Sequence, residues 1–195
     1  MHLEERPSRQ QQRCGETLIV LSNEPDVLTK LHGIAQKART DPGCQFTSLF
    51  HLMNKDLMLE CFMQLRTDAA SGIDNITKQE YAINLYVNLD NLVERLHKMA
   101  YQPQPVLRVY IPKAGSNKMR PLGIPVLEDK LVQAGLVKIL QAIYEQDFID
   151  DSYGFRPERG CHDALRALSN TVEGEPIHHI VEADIKGFFD NVDQD

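Results

Sequence analysis

The hydrophobic period of this chain changes once, at Pro103, and that change limits what it can fold into. Upstream, Leu85, Leu89, Leu92, Val93 and Leu96 recur at helical spacing along one face. Thr77-Lys78-Gln79-Glu80 stands before them with the Ser/Thr-x-x-Glu spacing of a capping box, in which each side chain satisfies the other's backbone N–H. Downstream, Val106 to Ile111 and Lys118 to Ile124 are extended runs, rich in β-branched and aromatic residues in the first, with Ala114-Gly115-Ser116-Asn117 supplying turn chemistry between them. Prolines at both ends suggest an antiparallel hairpin at a sheet edge. Glu128 to Tyr144 is helical again. A mostly helical body carrying a hairpin is an α+β fold.

The remaining elements follow from local signals. Residues 1–24 are polar and read as mostly mobile, with a short helix from Pro25 to Arg39 and a turn at Asp41-Pro42-Gly43. Ser48 to Met53 and Asp56 to Leu65 read as two helices, the second capped by Asp56. Ala70-Ser71-Gly72-Ile73-Asp74-Asn75 is a shaped turn, because Gly72 and Asn75 both tolerate positive φ. His162 to Leu168 is a shorter helix. Ile177 to Ile185 is expected as a buried strand, with Val181, Ala183 and Ile185 on one face.

With 195 residues and 42% apolar side chains the chain can bury a core. No apolar run approaches the ~20 residues that cross a bilayer, and the acidic start Met1-His2-Leu3-Glu4-Glu5-Arg6 lacks the basic flank of a signal peptide. The expectation is a cytoplasmic protein with no membrane partner. Cys14, Cys44, Cys61 and Cys161 lie far apart, which argues for reduced thiols rather than a zinc ribbon or disulfide framework.

A net charge of −7 looks wrong for a nucleic-acid binder, yet the charge is unevenly spread. Residues 101–130 sum to +3 through Arg108, Lys113, Lys118, Arg120 and Lys130, whereas residues 131–195 sum to −8. A charged ligand responds to the local field. Lys113 and Arg120 fall at or beside the hairpin tip, where a compact ammonium and a planar guanidinium both suit phosphate oxygens. A solvated hairpin with surface lysines is the alternative. Asp184 ends the expected strand, where a carboxylate and a neighbouring carbonyl suit Mg²⁺; a capping or surface role is the alternative. His178-His179 has the wrong spacing for a metal pair. Ser152-Tyr153-Gly154-Phe155-Arg156-Pro157 reads equally as a platform for a nucleic-acid strand or as a packed corner.

Five motifs then occur in a fixed order: Arg108-Val-Tyr-Ile-Pro-Lys113, Arg120-Pro-Leu-Gly-Ile-Pro125, Asp129-Lys130-Leu-Val-Gln133, Ser152-Tyr-Gly-Phe-Arg-Pro157 and Ala183-Asp-Ile-Lys-Gly-Phe-Phe-Asp190. The series closely resembles the group II intron reverse transcriptases, the intron-encoded maturases. Phe46-Thr-Ser-Leu-Phe-His-Leu-Met53 and Ser71-Gly-Ile-Asp74 resemble the stretches that precede it in that family, so the resemblance runs from about Leu31 onward.

The resemblance implies the fingers of a right-hand polymerase, mostly helical with a β-hairpin, plus the first strand of the palm. Residues 1–44 would be a leader, 45–100 the N-terminal segment and first part of the fingers, 101–175 the rest of the fingers, and 176–195 the start of the palm. Lys113 and Arg120 match residues that grip the incoming nucleotide's triphosphate. Asp184 matches the first catalytic, metal-binding aspartate, with the Ile185 carbonyl beside it, and Phe189 the side chain that excludes a ribose 2′-OH. Arg108, Lys118, Lys130 and Arg156 are the RNA-binding candidates. The implied partners are intron RNA as template, a DNA primer and a dNTP, with Mg²⁺ as cofactor of the full-length enzyme and weak or absent here. Asn75 stands where the family usually has Gly. The Tyr/Phe-x-Asp-Asp motif, the primer grip, thumb and endonuclease are not in these residues, so the chain alone is expected to be inactive and its uncovered apolar faces to favour a homodimer. An RNA-binding maturase without polymerase activity, and a reverse transcriptase of a CRISPR or defence system, share these motifs.

Overall fold

The structure, a computed structural model, describes residues 27–113, 115, 117–188 and 191–193. Its helices are α1 (Val27–Thr40), α2 (Lys55–Gln64), α3 (Lys78–Ile83), α4 (Leu85–His97), α5 (Leu127–Tyr144) and α6 (Cys161–Gly174). The strands β1 (Leu107–Pro112) and β2 (Met119–Ile124) form an antiparallel two-stranded sheet between α4 and α5. The expected α+β character is present, a helical body with one hairpin. No described helix is long and apolar enough to cross a membrane.

α5 is the hub of the body, packed by α1 on one side and α2 on another, with α4 lying against α2. The core draws Leu31 from α1, Leu57, Met58 and Phe62 from α2, Leu89 and Leu92 from α4, and Leu131 and Ile139 from α5. Ion pairs cross the same seams: the half-buried Lys138 of α5 holds Glu60 of α2 at 2.8 Å, and at the surface Lys55 of α2 holds Asp90 of α4 at 2.7 Å. The α4 face read from its leucines is the buried one, with Leu89, Leu92 and Leu96 inside.

Helix starts follow the caps, with one change of residue. Thr77 and Glu80 form the expected capping box: Thr77 N–H donates to the Glu80 carboxylate at 2.8 Å, and Glu80 N–H donates to the Thr77 hydroxyl at 3.2 Å. α2 is capped by Asn54, whose Oδ1 accepts from Leu57 N–H at 3.0 Å, so Asp56 is a first-turn acid and not the cap. That earlier start shortens Ser48–Met53 to a 3-10 turn at Phe50–Leu52. The helix behind the capping box breaks at Asn84 (φ −121°, ψ 37°) and so becomes α3 and α4. α6 runs six residues beyond the expected end.

The larger correction concerns Ile177–Ile185. These residues form no strand, and Val181 (90% exposed) and Ile185 (70%) are uncovered. An alternating pattern marks a strand only when another strand accepts its backbone, and the hairpin is the only sheet among the described residues. The polar leader 1–24 lies outside the described residues.

The turn at residues 70–75 needs its two special residues for different reasons. Asn75 does take a positive φ of 58°. Gly72 does not; it lies so close to α5 that an added Cβ would stand 2.6 Å from Val126 Cα. Backbone cannot yield as a flexible side chain can. Gly72→Ala is therefore expected to destabilise the chain by about 1–3 kcal/mol, the usual cost of overpacking. Gly33→Ala, in open space on α1, is expected to stabilise it by about 0.5–1 kcal/mol. Urea midpoints that move in opposite directions would bear this out.

Candidate functional site

The hairpin register decides which cations act together. Ile111 faces Arg120, Val109 faces Leu122, Arg108 faces Gly123 and Tyr110 faces Pro121. Residues directly opposite one another share a face, and the side-chain period is two. Arg120 therefore shares a face with Ile111, Val109 and Leu122. Beyond the strands the ladder continues, with Lys113 N–H donating to Lys118 O at 2.9 Å, so Lys113 and Lys118 extend that same face. Arg108 lies on the opposite face with Tyr110 and Pro121. The four hairpin cations are all exposed, and Gly115 turns the tip at φ 72°.

Both ends of the hairpin are rooted on the first turn of α5. β2 leads through Pro125 and the buried Val126 directly into α5. The strap before β1 is tied by Asp129, which is 4% exposed: its carboxylate accepts the Tyr101 hydroxyl and, at 3.1 Å, the Gln104 backbone N–H. Neighbouring Glu128 accepts Arg95 Nη2 at 2.7 Å and the Tyr81 hydroxyl at 3.3 Å, joining α4 and α3 to the same turn. Burial and these carboxylates push the Tyr81 and Tyr101 phenols well above their ordinary range, so both remain protonated donors. Lys130 donates its ammonium to Ala70 O at 2.5 Å, holding the 70–75 turn. A cavity of about 300 Å³ opens beside this root, lined in part by Asp74, Glu80, Gln104 and Glu128.

The Ser152–Pro157 segment resolves as a packed corner. Arg156 Nε and Nη2 donate to Glu145 at 3.1 Å, its Nη1 donates to the Ile149 and Ser152 carbonyls at 2.9 and 3.0 Å, and its guanidinium lies 5.0 Å from the Phe148 ring centroid. Its side chain is only 7% exposed. Arg159 braces the same loop through Asp150 and lies over the Tyr153 ring.

Asp184 and Ile185 are exposed on the irregular segment after α6, and Phe189 and Asp190 lie outside the described residues. No three His, Cys, Asp or Glu side chains converge among the described residues. One exposed carboxylate with a carbonyl falls short of the six oxygen ligands that Mg²⁺ requires, so the described residues alone do not fit that ion. The thiols are free at Cys44, Cys61 and Cys161, and burial pushes Cys61 up to about 11.

The sequence placed Lys113, Lys118 and Arg120 together and the structure puts them on one face, but it sets Arg108 apart, engages Lys130 with the Ala70 carbonyl and turns Arg156 inward. The sequence marks Asp129 only as a member of the Asp129–Gln133 motif. An acid in the first turn of a helix ordinarily complements the helix dipole, and nothing local reveals that Tyr101 and Gln104 reach it.

Residues 111–195 match the family model described as reverse transcriptase (RNA-dependent DNA polymerase). The chain is 39% identical over 164 residues to the group II intron-encoded protein LtrA of Lactococcus lactis subsp. cremoris, covering 84% of this chain and 27% of that protein. It is 37% identical over 166 residues to protein YkfC of Escherichia coli, covering 82% and 43%. Nuclear intron maturase 1, mitochondrial, of Arabidopsis thaliana is 31% identical over 71 residues, 36% of this chain and 10% of that protein. The chain thus spans less than half the length of these curated relatives.

The corner carries a direct stability test. Arg156→Lys keeps the charge but loses the planar fork that serves one carboxylate and two carbonyls. We expect a loss of about 2 kcal/mol, in the range for hydrogen bonds to charged groups. Amide exchange should accelerate across residues 145–160 and stay unchanged in α2 and α4.

Proposed function

We propose, for a chain that carries a reverse transcriptase domain and is homologous over most of its length to group II intron-encoded proteins, that it supplies the fingers of an RNA-directed DNA polymerase that also binds intron RNA as a maturase. The observation that carries this reading is the hairpin register, which brings Lys113, Lys118 and Arg120 to one face of a rooted ribbon. Three cations on one face suit the oxygens of a triphosphate, and the prolines beside them reduce the ordering cost of binding. Residues 45–175 correspond in this reading to the N-terminal segment and fingers, and residues 176–195 to the start of the palm.

On the opposite face, Arg108 and Tyr110 form a separate exposed pair suited to an RNA strand, a guanidinium for phosphate and a ring for a base. Lys118, on the face of Lys113 and Arg120, adds to the positive field of the hairpin as a whole. Lys130 and Arg156 support RNA binding indirectly, by holding the 70–75 turn and the 145–156 corner in place. Phe189 keeps its proposed role at the sugar of the incoming nucleotide. Asp184 and the Ile185 carbonyl would contribute to a metal site only together with further carboxylates of a longer protein. A dNTP, a DNA primer and a template RNA are the proposed ligands of that longer protein.

Two measurements test the reading. Lys113→Glu with Arg120→Glu, made in a full-length protein that carries these residues, is expected to weaken dNTP binding far more than RNA binding; equal losses would favour a general phosphate patch. In filter binding across a salt series, Arg108→Gln is expected to lower the slope by about 0.7–0.9, one phosphate contact, while Arg156→Gln leaves it unchanged.

Primer extension gives the third test. Two-metal phosphoryl transfer requires several carboxylates around ions ~3.5–4 Å apart. The 195-residue chain is expected to bind RNA yet show no extension on an RNA template with Mg²⁺ or Mn²⁺. Extension that disappears in Asp184→Ala would show a complete site within these residues.

A further inference from the structure

The two ends of the hairpin are held by unlike means. β2 is continuous with α5 through Ile124, Pro125 and Val126, so covalent connection sets its direction. β1 has no such connection to the body; it is reached through the irregular strap 98–106. Within that strap Pro103 and Pro105 have no N–H, so Gln104 is the single backbone donor of the three, and Asp129 accepts it at 3.1 Å. The other carboxylate oxygen accepts the Tyr101 hydroxyl. Arg95 stacks over the Tyr101 ring at 5.6 Å while its Nη2 donates to Glu128, so the ring that carries the hydroxyl is itself fixed from α4.

Asp129 is the one buried charged residue among the described residues. Removing a carboxylate from water is costly, and apolar packing would have filled the place without that cost. What the carboxylate provides is direction. It fixes two points, Tyr101 and Gln104, six and three residues before β1, and both bonds point to the same helical turn into which β2 leads.

We propose that Asp129 is a positioning residue that sets the angle of the hairpin against α5, and with it the reach of Lys113 and Arg120 towards nucleotide phosphates. The part of the proposal that concerns reach rests on the triphosphate reading above. The part that concerns angle does not, and the two are measured separately.

The experiment uses the 195-residue chain with Cys14, Cys44 and Cys161 changed to Ser and the buried Cys61 left in place. Spin labels at Asn117→Cys, on the tip, and Gln133→Cys, on an exposed position of α5, report the hairpin angle by pulsed dipolar spectroscopy. A second pair, Val87→Cys and Gln133→Cys, reports the body. Asp129→Asn, Tyr101→Phe and Gln104→Pro each weaken or remove one part of the tie, and the last two leave the carboxylate untouched if Asp129→Asn fails to fold. The expected result is a tip-to-α5 distance distribution at least twofold broader in each variant, with the body distribution unchanged. A tip distribution of unchanged width in Tyr101→Phe and Gln104→Pro would overturn the proposal, and equal broadening of both pairs would reduce Asp129 to a general stabiliser. Binding of a fluorescent deoxynucleoside triphosphate is expected to weaken five- to tenfold in the broadened variants. If the angle loosens without that loss, and Lys113→Glu with Arg120→Glu also binds as the parent does, the triphosphate reading fails while the role of Asp129 in the angle stands.

Discussion

A single helical turn, Val126 to Lys130, is the constraint on which the rest depends. Its side chains point to three different parts of the molecule. Glu128 takes Arg95 and Tyr81 from α4 and α3, Asp129 takes the strap before β1, and Lys130 takes the 70–75 turn. Val126 adds a backbone contact so close that only Gly72 fits against it. Polar contacts of this kind contribute about 1 kcal/mol each in net stability, far less than the buried leucines nearby. Their value is orientation, since the core fixes which helices pack and this turn fixes where the hairpin leaves them.

Much of that arrangement was legible in the residues. The α4 stripe, the Thr77–Glu80 capping box and the hairpin each have short-range causes, so spacing and turn chemistry located them. Asn75 was read correctly as a left-handed residue, whereas Gly72 was misread, because a close approach across 54 positions has no local signature. The failure at Ile177–Ile185 has the same origin. Alternation states which face would be buried, but the partner that buries it must come from elsewhere. Within the candidate site, residue type identified the cations, and only the register and the side-chain partners could sort them. Arg156 and Arg108 look equivalent as letters; one spends its fork on Glu145 and two carbonyls, the other stands exposed on the ribbon.

The charge distribution has a related logic. The chain as a whole is acidic, and the places where its cations gather are therefore informative. Lys55, Lys138, Arg95 and Arg156 neutralise carboxylates across packing seams. On the hairpin the basic residues meet no acid within either strand, because residues 107–124 contain none. A patch of this kind holds its field at short range, and the acidic second half of the chain discourages polyanions from settling elsewhere.

The alternation of faces along β1 and β2 also restricts how such a chain can change in length. Losing or gaining one residue within either strand would carry every side chain beyond that point to the other side of the ribbon. Arg120 would then leave Lys113 and join Arg108, although composition and charge would hardly alter. Lengthening the loop between Lys113 and Lys118 changes no face, because the ladder has already closed behind it. Inserted and deleted residues should therefore be absorbed at the tip, and the six-residue lengths of β1 and β2 should be held fixed by parity alone.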